Sequence, residues 1–304
     1  MKFKSVANNL YDRILSKEAK LKFEKVIFVT ALGGFLFHLA LIMLIQWGII
    51  PSTGGIRGLE SPIDAIYTPF SIILFYEVYC LVYYLPKSIT TYIGKQFEII
   101  ALITIRGIFD ELSHLELSSD VFDMLGQPDF MYSMATILLL FGLIYFFYRL
   151  NQRGIREENN LPDIPAGISD SSKKYIYGKR VLAMSLGILF IVLALTNLYE
   201  WFTNNHTIVD FIVNTKPATK SFFSVFFTVL ILNDVIVLLF SFAITDEFHK
   251  VMRNSGFVIS TTLLKLSFNV EGLASHLMII LGVAFGTAIL AMYKLYKKID
   301  LPED

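Results

Sequence analysis

Four ionisable residues lie deep inside long apolar runs: Glu77, Arg106, Asp234 and Lys265. An ionised side chain at membrane depth costs several kcal/mol unless it is paired or hydrated, so each is a candidate functional group. Glu77 is near the middle of the second apolar run and Arg106 near the middle of the third, which brings them to similar depth on antiparallel neighbours. Asp234 and Lys265 repeat the arrangement later in the chain. Two chemistries fit. An acid on one helix facing a base on the next neutralises both charges and fixes the helices in register. Alternatively, the pairs line a hydrated path and exchange partners as an ion or proton passes.

Other groups carry weaker signals. Asp110, Glu111 and His114 include an E-x-x-H spacing that points a carboxylate and an imidazole the same way from a helix. Di-iron bundles use that motif twice, with two further glutamates. Here it occurs once, at the end of a run, so a metal site competes with a solvated helix end. His38 is alone on its apolar segment. A hydrogen bond within the bundle accounts for it more simply than a bis-histidine haem with His114 or His276. Glu98, near Lys95, suits the inner headgroup level, and Gln46 and Glu200 stand beside Trp47 and Trp201, whose rings favour the interface. Cys80 is the single cysteine, which excludes an intramolecular disulfide. No Walker loop, GxGxxG, GxSxG or HExxH is present. No catalytic residue and no cofactor is therefore assigned, and an enzyme is disfavoured.

The elements that must position these groups follow from composition. The 304 residues are 55% hydrophobic and 17% charged, with a mean hydropathy of +0.59 and no net charge. That is an all-α integral membrane composition, with the lipid bilayer as partner and nothing to suggest nucleic acid. Protein partners are unspecified by sequence. Clear apolar runs cover 26–48, 67–86, 131–149, 181–201, 221–244 and 275–293, and marginal ones cover 96–115 and 255–272. The marginal third and seventh segments are expected to be shorter or more tilted than the rest. Residues 1–24 form a basic segment with Val6, Leu10, Ile14 and Leu21 near one helical face, either lying on an anionic surface or simply orienting the first span.

The basic residues choose between topologies. With eight spans, 21 Lys and Arg fall on the inner side and three (Arg57, Lys216 and Lys220) on the outer. With six spans the division is 15 to 11. Cytoplasmic loops retain Lys and Arg, so eight spans with both termini cytoplasmic are predicted.

The two halves of the chain resemble each other. Residues 25–47 align without gaps to 179–201 with eight identities in 23 positions, among them Lys25 with Lys179, Gly33 with Gly187 and Trp47 with Trp201. On this alignment Glu77 meets Asp234 and Arg106 meets Lys265. A four-span repeat returns the chain to its starting side, so the copies run parallel. The expected organisation is a first four-helix repeat at 25–150, a cytoplasmic linker at 151–178, a second repeat at 179–298 and a tail at 299–304. Gly33 and Gly187 should occupy equivalent places where a neighbouring helix approaches closely. A four-helix unit with an acid on its second helix is similar in outline to a voltage-sensor bundle. The fourth span, Met131–Tyr148, nevertheless lacks the arginines that carry gating charge.

Duplication with intramembrane charge leads to a small-ion or small-solute transporter or channel, with its path at the interface of the repeats. The alternative is a non-conducting anchor, assembly subunit or sensor whose charge pairs set helix register.

Overall fold

A computed structural model describes residues 13–49, 62–113, 128–160, 170–204, 215–243 and 247–299. They form eight α-helices: α1 Lys17–Gln46, α2 Tyr67–Tyr84, α3 Ile89–Ser113, α4 Pro128–Asn160, α5 Asp170–Asn204, α6 Thr215–Phe242, α7 Phe248–Leu266 and α8 Leu273–Ile299. Among the described residues there is no strand. One helix falls on each of the eight apolar runs, as expected where lipid offers the backbone no hydrogen bonds and each segment must satisfy its own.

Among the described residues, five helices are long and apolar enough to cross a membrane: α1, α4 over Pro128–Asn151, α5 over Ile176–Leu193, α6 over Val225–Phe242, and α8. The apolar part of α2, Thr68–Tyr84, is shorter. This is the make-up of a multi-pass membrane protein. On α1, Phe28 and Phe37 are 66% and 67% exposed, a surface suited to lipid. Helix α3 has 25 residues against 18 for α2, longer than the apolar segment expected from hydropathy at 96–115. Its first turns, before residue 96, are polar and escape a hydropathy reading although they are helical.

Local signals set the helix ends. Ser16 caps α1 by accepting from the Ala19 amide at 3.1 Å, with Glu18 in the first turn. Beyond Trp47 the chain leaves α1 through Gly48 at φ 72°, where a side chain would be strained. Ser88 Oγ accepts from the Thr91 amide at 3.3 Å at the start of α3, and Pro128 opens α4 where no amide hydrogen is needed. The basic segment at 1–24 is not separate from the first span, because α1 already begins at Lys17. Residues 1–12 lie outside the described residues. Helix also extends into the expected linker, to Asn160 in α4 and from Asp170 in α5.

The chain divides into two compact units, each drawing on both halves of the sequence. The first holds α1, α2 to Tyr83, α3 from Ile105 and α5 from Met184. In it Ile42 and Ala65 are fully buried against Phe35, Leu39 and Ile45, and Phe70 stacks on Phe109 at 4.8 Å. The close approach to α2 is made by Gly34, where an added Cβ would lie 3.0 Å from Ile72 and 3.3 Å from Thr68. Gly33, expected at such a contact, faces open space, whereas Gly187 meets Val82 at 3.5 Å. One residue is a turn of 100° on a helix, which is enough to exchange a packing position for an open one.

The second unit holds α3 to Thr104, α4, α5 to Ala183, α6 from Ser224, α7 and α8. Here α7 and α8 pack through small residues four apart on both helices, Gly256 and Ser260 on α7 and Gly282 and Gly286 on α8. A Cβ at Gly256 would lie 2.7 Å from Ile289, and one at Gly286 would lie 2.6 Å from both Phe97 and Ser260. Ser260 Oγ donates to the Gly282 carbonyl at 2.6 Å, joining the two backbones.

Candidate functional site

The buried face of α7 is its polar face. Asn254, Ser260, Thr261 and Lys265 are all buried there, together with Phe257 and Leu264. A helix that turns its polar side inward meets other polar groups or a hydrated space. What it meets is α6, where Asn233, Asp234 and Ser241 are buried, and α3, where Gln96 and Tyr92 are. All of these belong to the second unit.

Asp234 is the centre. Lys265 Nζ donates to its Oδ2 at 2.5 Å and Thr261 Oγ1 to the same oxygen at 2.8 Å. The Tyr92 hydroxyl donates to Oδ1 at 3.0 Å, and Gln96 Nε2 bridges both oxygens at 3.3 and 3.4 Å. Asp234 and Lys265 are each 3% exposed. Spacing explains the convergence: Tyr92 and Gln96 are four apart on α3, Thr261 and Lys265 four apart on α7, so each helix offers two donors from one face. A carboxylate held by four side chains meets its solvation from protein donors alone, the condition under which a buried charge is tolerable.

Asn233 is incompletely satisfied. Its Nδ2 donates to the Tyr92 hydroxyl at 3.5 Å, while its Oδ1 is buried without a hydrogen-bond partner. Beside Asp234 a cavity of about 20 Å³ is lined by Tyr92, Ile93, Asp234, Asn254, Phe257 and neighbouring apolar side chains. Its accessible lining is almost wholly apolar, so it is a packing gap and not a water site.

A second polar cluster begins at the start of α7. Glu247 forms an ion pair with Lys250 at 2.6 Å and lies 3.1 Å from His249 Nε2. The hydrogen bond from Lys250 holds the exposed Glu247 carboxyl below its ordinary pKa. Arg253 lies over the Tyr293 ring at 4.5 Å and donates twice to Asn254 Oδ1 at 3.0 Å, and Asn254 Nδ2 donates to Ser241 Oγ at 2.5 Å. Asn254 and Asp234 both border this cavity, and the buried polar positions of α7 run from Asn254 through Ser260 and Thr261 to Lys265. Past Lys265, Phe227 of α6 stacks on Phe268 at 4.4 Å, and the surroundings become aromatic.

The other sequence candidates are placed differently. Glu77 is buried on α2 and Arg106 is half-buried on α3, both in the first unit, and the Arg106 charge acts on the Glu77 carboxyl. The side chains of Asp110 and Glu111, and all of His114, lie outside the described residues. No group of three His, Cys, Asp or Glu gathers among the described residues. His38 Nδ1 is 2.6 Å from Thr68 Oγ1, and His276 faces the Tyr132 ring at 6.5 Å. Glu98 accepts from Lys95 Nζ at 2.6 Å and from the Tyr148 hydroxyl. Trp47 is exposed at the end of α1, and the side chains of Glu200 and Trp201 are outside the described residues. Lys25 is exposed, whereas its aligned counterpart Lys179 is buried and donates to the Lys87 carbonyl at 2.5 Å.

Sequence reasoning missed Tyr92, Gln96, Asn233 and Thr261. The available signal was the pair of i, i+4 polar spacings within apolar runs. No family model, curated protein or solved structure matches the chain.

Proposed function

We propose that this chain is a membrane transporter for a small ion, crossing the bilayer eight times with both termini in the cytoplasm, and that its path follows the polar row to Asp234. The observation that carries this reading is the row itself. From Arg253 to Lys265 it extends about 18 Å along α7, at 1.5 Å per residue. A helix-register lock needs one ion pair. This row adds Asn254, Ser241 and an incompletely satisfied Asn233. The aromatic pair Phe227 and Phe268 at the far end fits a carrier closed on one side better than an open channel.

The four-plus-four repeat, 25–150 and 179–298 joined by a cytoplasmic linker at 151–178, belongs to the same proposal. Its support is the sequence alignment and the origin of the ligands around Asp234. Tyr92 and Gln96 come from the first half, and Asp234, Thr261 and Lys265 from the second. Sites at the junction of two repeats are common in transporters.

The second reading, a non-conducting anchor, assembly subunit or sensor, is favoured by one feature: four side chains already saturate the Asp234 carboxylate. Reconstitution separates the two. The purified protein in liposomes should conduct a small cation or protons, and Asp234→Asn should abolish that flux. Absence of flux for protons and alkali cations in the wild type, with the protein folded, would leave the non-conducting module.

A further inference from the structure

We infer that Asp234 is a monovalent-cation site whose resident occupant is the protein's own Lys265 ammonium, and that a sodium-sized cation displaces it in exchange for a proton. The inference rests on the transport reading and names its substrate class. It starts from charge. The centre holds one carboxylate, so it accommodates one positive charge. A divalent cation would call for further carboxylates, and no such cluster gathers among the described residues.

The oxygen atoms for a cation are in place. The Asp234 carboxylate, Thr261 Oγ1 and the Tyr92 hydroxyl already converge. Asn233 contributes a buried carbonyl oxygen with no hydrogen-bond partner, on a side chain whose other end reaches that same hydroxyl. Half a turn of the Gln96 amide exchanges Nε2 for Oε1 and adds another acceptor. A lone buried amide oxygen is costly in a membrane interior, and a cation is one ligand, besides a water, that would satisfy it.

The exchange balances. In the resting centre the ammonium of Lys265 faces the carboxylate of Asp234. When a cation takes the carboxylate, an ammonium 3% exposed is left without its counter-charge. It loses one proton and becomes a neutral amine, as buried unpaired charges do. One cation enters, one proton leaves, and the centre stays neutral. The titratable groups at the centre, among the described residues, are Asp234 of α6, Lys265 of α7 and Tyr92 of α3.

The test uses the full chain in detergent, weakly buffered, with sodium, lithium or choline chloride added. Sodium or lithium should release about one proton per cation bound, as neutrality requires, and should raise the melting midpoint as a ligand of the folded state does; choline should do neither. Lys265→Gln should bind sodium at lower concentration with no proton released, and Asp234→Asn should neither bind nor release. Asn233→Ala, which leaves the ion pair intact and guards against loss of fold in the other variants, should bind sodium more weakly. Failure of both alkali cations to release protons from the wild type overturns the inference, as does release unchanged in Lys265→Gln or sodium affinity unchanged in Asn233→Ala. Cation-linked release without liposome flux would overturn the transport reading and leave this inference standing. Flux without cation-linked release would do the reverse.

Discussion

Lys265 Nζ lies 2.5 Å from Asp234 Oδ2, joining α7 to α6 in a place from which solvent is almost wholly excluded. Removing one partner strands the other charge, which costs about 3–5 kcal/mol for a buried pair. Asp234→Asn and Lys265→Met should therefore each destabilise the fold by roughly that amount. The double variant should recover much of the loss, because no charge is left unpaired. A double-mutant cycle by denaturation in detergent checks this, and additive losses would mean that the two charges do not depend on each other.

The remaining donors to Asp234 should matter in order of their geometry. Thr261 Oγ1 at 2.8 Å and Tyr92 at 3.0 Å are well placed, whereas Gln96 is shared between two oxygens at 3.3 and 3.4 Å. A hydrogen bond to a charged group contributes about 1.5–3 kcal/mol. Thr261→Val and Tyr92→Phe should each cost an amount in that range, and Gln96→Leu less. Thermal unfolding of the three variants gives the ranking; a larger loss for Gln96→Leu than for Thr261→Val would contradict the assignment of the main donors.

How much of this was legible in the sequence depends on what lipid enforces. An apolar run in a bilayer must be helical, so the eight runs identify the eight helices, and charges within them are visible because they are costly. Helix ends are not enforced in this way. The polar stretches of α4 to Asn160 and α5 from Asp170 carry no apolar signal, and neither do the first turns of α3. Uncharged polar residues such as Tyr92, Gln96 and Thr261 are inexpensive enough at a helix face that their presence does not disclose a site. Gly33 and Gly34 illustrate the limit: adjacent in sequence, they differ by 100° in direction, and α2 packs against Gly34.

The contact of α7 with α8 is the tightest test of packing. A Cβ at Gly286 would lie 2.6 Å from Phe97 Cζ and from Ser260 Oγ, and the Ser260 hydroxyl is committed to the Gly282 carbonyl. Overpacking of this kind costs about 1–3 kcal/mol. Gly286→Ala should lower the melting midpoint measurably. Gly142→Ala, on α4 with nothing within 4 Å, should be neutral or slightly stabilising, because alanine is the better helix former. Equal effects at the two positions would mean that α8 does not approach α7 as described.

The topology can be checked independently of the site. The marginal segments decide it, and α3 and α7 now have lengths: 25 and 19 residues, or about 37 and 28 Å at 1.5 Å per residue. The hydrocarbon core is about 30 Å thick, so α3, counted with its polar first turns, is longer than the core, and α7 falls short of it by about 2 Å. Length alone does not decide for eight spans; the 21 to 3 division of basic residues is what favours them. Reporter fusions at Ser119 and Asp170 distinguish the arrangements when the N-terminus is cytoplasmic. Eight spans give Ser119 outside and Asp170 inside; six spans, with α3 and α7 left on one side, give the reverse. Both fusions on the same side would remove the four-plus-four arrangement altogether, and with it the argument that Tyr92 and Gln96 meet Asp234 at the junction of two repeats.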